Sequence, residues 1–209
     1  MVLAAAIVRS VSDTRIALDL ALTIRHDGRG GVADDLATPD GLTRWVHERR
    51  DLLGDAAAED TWAADEQTLE AVRSLRAAVR ALFAHAVRPG EPSPADAGRL
   101  LPFGEALHLL NAAAGAVPTV PRLDWQPDRD PVAHDHPIGG AAGRNAVPAA
   151  LARAAVGFLA GPDRTALRAC RAPRCVRYFV KAHPRQEWCK PSCGNRARVA
   201  RHHERHRTP

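Results

Sequence analysis

The four cysteines of this chain are grouped near its C-terminal end, in a pattern that suits metal binding. They are Cys170, Cys175, Cys189 and Cys193, two closely spaced pairs with 13 residues between them. A short pair spans one edge of a coordination tetrahedron, and the loop between the pairs lets both converge on one ion. The spacing therefore predicts one structural Zn²⁺ bound by four thiolates.

Other uses of four thiols are alternatives at this point. Ordinary buried thiols would be scattered through the core, whereas residues 1–169 contain no cysteine. An iron–sulfur cluster also takes four thiolates, but arginine-rich surroundings and a following helix favour zinc. Disulfides or a redox dithiol are the remaining possibilities, and disulfides need an oxidising compartment.

The N-terminal sequence does not indicate export. The apolar run at residues 2–8 lacks a leading basic segment and is followed by Arg9. It is too short for a signal peptide or a membrane span. We therefore expect a cytoplasmic protein without membrane association, in which the thiols stay reduced.

Histidines that follow the second cysteine pair suggest a rival ligand set. Cys189, Cys193, His202 and His206 would imitate a two-Cys two-His finger. That set leaves the first cysteine pair unused, and eight residues are few for folding a helix back onto the second pair. We expect the histidines to lie on an exposed helix instead, where their protonated forms can meet phosphate.

The charge of the chain changes sign near the cysteines. Residues 164–209 contain 13 Lys and Arg but only two acids, Glu187 and Glu204, for a net charge of +11. The whole chain carries +5, so residues 1–163 carry −6. A compact basic segment attracts polyanions, which makes nucleic acid, above all double-stranded DNA, the leading partner. A solvated charged tail is the plainer alternative, although such tails normally mix both signs.

The basic residues after the second cysteine pair are expected to lie on a helix that begins near Pro191. Arg198, Arg201 and Arg205 follow at three and four residues and share one face, whereas Arg196 is turned about 200° from Arg198. Arg196 either joins this surface or hydrogen-bonds backbone carbonyls around the metal. The predicted nucleic-acid contacts, with two flanking residues included, are Arg177, Lys190, Arg196, Arg198, Arg201 and Arg205.

The metal is expected to organise a small, treble-clef-like module of one hairpin and one helix. Residues 176–188 are long enough for the hairpin, with its turn near 183–185. Tyr178, Phe179 and Trp188 are the sizeable apolar groups available to cover the site. A segment of roughly 45 residues orders too little apolar surface to fold without the metal.

The larger part of the chain is predicted to be mainly α-helical. The aromatic content of the whole chain is only 4%, and apolar residues recur at helical spacing in this part. The clearest helix covers residues 65–87, another starts at Thr38 and Pro39, and the last covers 147–159. Short strands are expected at 119–120 and 123–125. We place the domain boundary at Gly161, giving a helical domain at 1–161 and a basic zinc module at 162–209.

These segments resemble two known sequence families. The C-terminal block is similar to the CGNR zinc finger family in residues 170–175, Phe179, Trp188, Cys189, Cys193, Gly194, Asn195 and Arg196. Residues 16–20, 35–45 and 75–76 resemble the helical ABATE domain that precedes the finger in that family. The resemblance implies a zinc-dependent regulator of stress-induced transcription.

Two classes of function fit these features. The first is a DNA-binding transcription regulator whose helical domain senses a small-molecule effector or forms a homodimer. The second is a zinc-stabilised module that binds RNA or another protein. An enzyme ranks third, because four-thiolate zinc has no open position and no nucleophile has an evident base. The cluster His134, Asp135 and His136 suggests either a second metal site or a polar turn.

Overall fold

The computed structural model describes residues 11–207, apart from 28, 30, 58, 97 and 139–142. The apolar run at residues 2–8 therefore lies outside the described part of the chain. Among the residues described, no helix combines the length and hydropathy that crossing a bilayer requires.

Helices make up most of the structure, which confirms the predicted mainly α fold class. The helices of the described residues are α1 Val11–Leu22, α2 Pro39–His47, α3 Arg50–Leu53, α4 Glu66–Ala86, α5 Phe103–Gly115, α6 Ala146–Ala160 and α7 Pro191–Arg207. Antiparallel pairs of strands are formed by β1 Ile24–His26 with β2 Val32–Asp34, β3 Thr119–Asp124 with β4 Val132–Pro137, and β5 Leu167–Ala169 with β6 Tyr178–Val180. Short 3-10 turns lie at Gly54–Ala57, Pro94–Asp96, Gly143–Asn145 and Pro162–Ala166.

The longest helix, α4, follows the sequence prediction closely. The Asp65 carboxylate caps it by accepting the backbone N–H of Thr68 at 2.7 Å. Leu69, Val72 and Val79 are buried at helical spacing along the face that meets α1, α5 and α6. The apolar stripe therefore places α4 at the centre of the core.

Two arginines of α4 are buried and paired with carboxylates of neighbouring segments. Arg76 Nη2 donates to Asp34 Oδ2 of β2 at 2.7 Å, and Arg80 Nε donates to Asp96 Oδ1 at 2.7 Å. Burial raises the pKa of Asp34, but the hydrogen bond and charge of Arg76 outweigh it and leave the pKa below its ordinary value. These pairs hold β2 and the turn at Pro94–Asp96 against α4.

The other predicted elements differ in accuracy. Helix α2 begins at Pro39 after the cap Thr38, and α6 covers the predicted final helix. The sequence also offers a capped helix start at Ser93 and Pro94 for a segment that runs to about Gly115, with an interruption at 102–104. The structure has a 3-10 turn at Pro94–Asp96 and then α5, which begins only after Pro102 because proline disfavours helical backbone before it. The short strands expected near residue 120 are one strand, β3, which pairs with the unpredicted β4.

Candidate zinc centre and nucleic-acid surface

The first cysteine pair lies in the loop that joins β5 to β6. Cys170 directly follows β5, and Cys175 precedes β6. Backbone N–H groups close the loop, from Cys175 to Ala172 O and from Cys170 to Arg177 O, each at 2.9 Å. The hairpin therefore presents both thiols from a single tight turn.

This hairpin differs from the one predicted between the two cysteine pairs. Its first strand, β5, lies before Cys170, where Leu167 and Ala169 are buried and Arg168 is exposed. Residues 181–188 lack such an alternating apolar pattern and form turns instead, including one from His183 to Gln186. The predicted position of the hairpin was therefore wrong. Its first strand needs an alternating apolar face, which β5 has and residues 181–188 lack.

The second cysteine pair lies at the start of α7. Cys189 precedes the helix, which begins at Pro191 as predicted, and Cys193 lies in its first turn. The Cys193 N–H donates to Lys190 O at 3.0 Å. Thiolates at a helix N-terminus are favoured by the positive end of the helix dipole.

The four sulfur atoms lie close enough together to share one zinc ion. All four lie within 4.8 Å of one another, with 3.7 Å between Cys175 and Cys189 and 3.5 Å between Cys189 and Cys193. A Zn–S bond of about 2.3 Å implies about 3.8 Å between sulfurs of a regular tetrahedron. The cysteines are free thiols, and these separations are far longer than a disulfide bond.

The thiols also influence one another electrostatically. Hydrogen bonding with Cys175 lowers the pKa of Cys170 to about 2, and hydrogen bonding with Cys170 raises the pKa of Cys175 to about 11. The same contact with Cys170 raises the pKa of Cys189. Four thiolates this close repel one another, so a divalent cation is the group that stabilises all four in the charged form.

An apolar layer covers the sulfur cluster. Phe179 and Ala172 pack with the buried thiols, and Trp188 is partly buried against them. A Cβ added to Gly194 would lie 3.0 Å from Trp188 Cδ1, so a glycine at this position lets the indole approach α7 closely. The predicted covering role therefore holds for Phe179 and Trp188.

Tyr178 has a different role from the one predicted. It is fully buried in the core of the helical part, with its ring centroid 5.6 Å from that of Phe83. Its hydroxyl donates to Asp96 Oδ2 at 2.6 Å. Burial and then the adjacent carboxylate raise the pKa of Tyr178 well above its ordinary value, which keeps the hydroxyl protonated as a donor. Strand alternation turns Tyr178 toward the helices and Phe179 toward the sulfurs.

The helical part also binds a backbone carbonyl of the β5–β6 loop, residues 170–177, which we call the zinc loop. Val176 O accepts from Ser93 Oγ at 2.8 Å and from Arg80 Nη2 at 3.4 Å. Sequence reasoning did not identify Ser93, Asp96 or Arg80 as partners of the module, since each lies more than 80 residues away along the chain. The zinc module is thereby anchored to the core through a buried polar network.

Arg196 lies at the metal centre. Its Nη2 donates to Cys193 Sγ at 3.1 Å, and its Nε is buried. The sequence suggested backbone carbonyls as its partners, whereas the structure shows a cysteine sulfur. Such a donor stabilises a metal-bound thiolate and fixes its orientation.

Three other arginines of α7 are exposed. Arg198, Arg201 and Arg205 all lie in the solvent-facing part of the helix, and Lys190 is exposed just before it. Arg198 bonds Asn195 Oδ1, and Arg201 Nε donates to Ala197 O at 3.4 Å, so both are oriented by their own helix. Their role in nucleic-acid binding stays a prediction.

Arg177 lies at a cleft that is lined mostly by the helical part. Its half-buried side chain lines a cleft shared with the helical part, and no described residue of α7 lines that cleft. Arg177 therefore faces a cleft that the described residues of α7 do not line, and its role in nucleic-acid binding stays a prediction.

The histidine clusters do not join the sulfur site. The metal-binding group found among the described residues consists of the four cysteines. His202 and His206 are exposed, with ring centroids 4.3 Å apart. In the loop cluster, His136 Nδ1 contacts Asp55 Oδ2 at 3.0 Å and Asp135 pairs with Arg153, so these two residues have structural partners. The side chain of His134 lies outside the described part of the chain.

Comparison with known families agrees with this architecture. The family model of the ABATE domain, described as "Putative stress-induced transcription regulator", matches residues 14–162. The model of the CGNR zinc finger matches residues 166–206. A search of curated proteins found no match to the chain. These families are of the regulator and zinc-finger types, not enzyme families, and with the sulfur geometry they confirm the predicted single zinc ion.

Proposed function

This chain belongs to the ABATE family and ends in a CGNR zinc finger, and on that premise we propose that it regulates transcription by binding double-stranded DNA through α7. Cys170, Cys175, Cys189 and Cys193 hold one structural zinc ion. With four thiolate ligands the metal has no open position for catalysis, so its role is to position the helix.

The exposed face of α7 carries the proposal. Arg198, Arg201 and Arg205 lie together on it, next to a metal centre that fixes the start of the helix. Residues 164–209 have a net charge of +11, which favours association with a phosphate backbone. Lys190 flanks this face, whereas Arg196 lies on the other side of α7 and acts on the thiolate of Cys193.

The same surface would also suit a zinc-stabilised module that binds structured RNA or an acidic protein. Sequence preference separates these functions, because a DNA regulator discriminates its site from random duplex by a large factor. A small-molecule effector of the helical domain, the domain boundary at Gly161, a homodimer and a cytoplasmic location are further parts of the proposal. Analytical ultracentrifugation of the zinc-loaded chain would check the dimer.

Duplex binding tests the proposal directly. Duplexes would be selected from a random pool and titrated at several salt concentrations with the wild-type chain, Arg198→Ala, Arg201→Ala and the control Arg122→Ala on β3. Loss of a phosphate contact lowers affinity for all duplexes and reduces the salt slope by about 1. Loss of a base contact weakens the selected site by about 1–3 kcal/mol.

Two results would contradict the proposal. Unchanged binding by both Arg198→Ala and Arg201→Ala would remove α7 as the DNA surface. Displacement of the selected duplex by structured RNA at lower concentration than by random duplex would favour the RNA-binding alternative.

A further inference from the structure

A cleft of about 600 Å³ lies between the helical domain and the zinc loop. The helical domain contributes the end of α1, strands β1 and β2, and α2 with the residues that follow it, and the zinc loop contributes Arg177. Small-molecule sites commonly have volumes of about 300–1,000 Å³. The cleft is therefore large enough for a metabolite and is built from both domains.

Most charged groups in the cleft already have partners. Arg25 pairs with Asp35 at 2.6 Å, and Arg49 pairs with Asp19 at 3.3 Å and Glu48 at 3.1 Å. Asp34 is bound by Arg76, which reaches it from α4. The carboxylates of the cleft are thus neutralised by these arginines.

Two guanidinium groups have no such partner. Arg44 of α2 and Arg177 of the zinc loop both line the cleft, and neither makes an ion pair or side-chain hydrogen bond within the described residues. A guanidinium presents several donors in a fixed planar arrangement that matches carboxylate and phosphate oxygens. Two unpaired guanidiniums in one concave site favour a ligand with an anionic group.

We propose that this cleft binds a small molecule that carries a carboxylate or phosphate group, held by Arg44 and Arg177. This inference rests on the proposed function, in which the helical domain senses an effector. The paired carboxylates in the walls offer acceptors for hydroxyl or amino groups on the rest of the ligand.

The composition of the cleft argues against a nucleic-acid backbone as the occupant. Asp19, Asp35 and Glu48 line its walls, and such carboxylates repel a polyanion that approaches along an extended surface. A small molecule can place its one anionic group on the two unpaired arginines and the rest of its surface against the paired carboxylates. Mixed charge in a concave site therefore favours a metabolite over duplex DNA.

A ligand on Arg177 would act directly on the zinc loop. The Arg177 carbonyl accepts the N–H of Cys170, and the adjacent Val176 carbonyl is held by Ser93 and Arg80. A ligand that bridges Arg44 and Arg177 stabilises the arrangement of the two domains in which both arginines face the cleft. By linkage, DNA and ligand then change each other's affinity if they prefer different arrangements.

The test measures thermal unfolding of the zinc-loaded full chain with inorganic phosphate, with succinate and with chloride at matched ionic strength. We expect phosphate or succinate to raise the midpoint saturably, since a ligand that binds only the folded state stabilises it. Arg44→Gln and Arg177→Gln should each weaken the apparent affinity by about tenfold or more. Arg44→Lys should weaken it less, and the surface control Arg122→Gln should leave it unchanged.

Any of three results would overturn the inference. The first two are no shift of the thermal midpoint with either anion and the same shift in all variants. The third is loss of duplex binding in both Arg44→Gln and Arg177→Gln, together with competition between phosphate and duplex. The last result would assign the cleft to nucleic acid. The comparison of phosphate with succinate identifies which anion the site prefers. Since the unfolding assay contains no DNA, anion binding by a chain that fails the duplex titration would refute only the proposed DNA regulation.

Discussion

Arg196 shows, at the scale of single residues, that position relative to the metal decides what an arginine does. Its side chain is one turn beyond the thiolates, and its guanidinium donates to Cys193 Sγ. Arg198, only two residues later, points to solvent on the opposite side of α7. Helix α7 therefore contributes Arg196 to the metal centre and exposes Arg198 to solvent.

We predict that Arg196→Ala weakens zinc binding by about 10- to 100-fold, the usual effect of removing a partner of a metal ligand. The hydrogen bond to Cys193 Sγ is lost, and the thiolate becomes a less well oriented ligand. Competition with a chromogenic chelator would measure the affinity, with Arg198→Ala as the matched control. Equal zinc affinity in Arg196→Ala and the wild-type chain would assign Arg196 to another role.

Each cysteine is expected to be indispensable for the metal. Cys193→Ser should release zinc and unfold the loop and helix of the finger, because a neutral hydroxyl replaces a buried thiolate and three ligands remain. Zinc analysis of the purified protein, alongside the exposed control Ser192→Ala, would measure the loss. Full zinc retention in Cys193→Ser would contradict the ligand assignment.

The β5–β6 hairpin serves two purposes at the scale of elements. One face of β6 turns Tyr178 into the helical core, and the other turns Phe179 onto the sulfur cluster. The loop of the same hairpin holds Cys170 and Cys175. The metal centre is therefore joined to the core by strand alternation as well as by the chain connection.

Tyr178→Phe is predicted to destabilise the folded chain by about 1–3 kcal/mol without releasing zinc. The substitution removes the donor to the buried Asp96 carboxylate but keeps the ring packed on Phe83. Chemical denaturation of Tyr178→Phe, Asp96→Asn and the double variant would give their coupling energy. Purely additive changes in the free energy of unfolding would contradict the hydrogen bond between Tyr178 and Asp96. Loss of zinc from Tyr178→Phe would contradict the separation of this bond from the metal.

The elements differ in how far the sequence could predict them. Helices α4 and α7 were predictable, since each has a start signal and α4 also has a long buried stripe. The cysteine spacing likewise predicted the metal site. Strands β1, β2 and β5 have three residues each, too few to establish alternation. The position of Tyr178 depends on Phe83 and Asp96, distant contacts that no local pattern contains.

Two parts of opposite charge share one core at the scale of the whole molecule. Residues 1–163 carry −6 and residues 164–209 carry +11, yet Leu167, Ala169 and Tyr178 belong to the same buried cluster as α1, α4 and α6. A truncation at the charge boundary, residue 163, therefore removes side chains that belong to the core of the helical part. Duplex binding should depend on the basic residues of 164–209, and the free energy of unfolding should depend on the shared core.

Fragments 1–161 and 1–182 separate these two properties. Both lack α7, so we predict that neither binds duplex DNA measurably under conditions in which the full chain does. Only 1–182 keeps Leu167 and Tyr178, and burial of one such side chain contributes about 1.5–3 kcal/mol. Since a domain has a free energy of unfolding of only about 5–15 kcal/mol, 1–161 should fold with a clearly lower thermal midpoint than 1–182.

Circular dichroism would measure the thermal midpoints of the two fragments, and duplex titration would measure their DNA binding. Duplex binding by 1–161 equal to that of the full chain would refute the division of labour, and equal midpoints would remove the hairpin from the core.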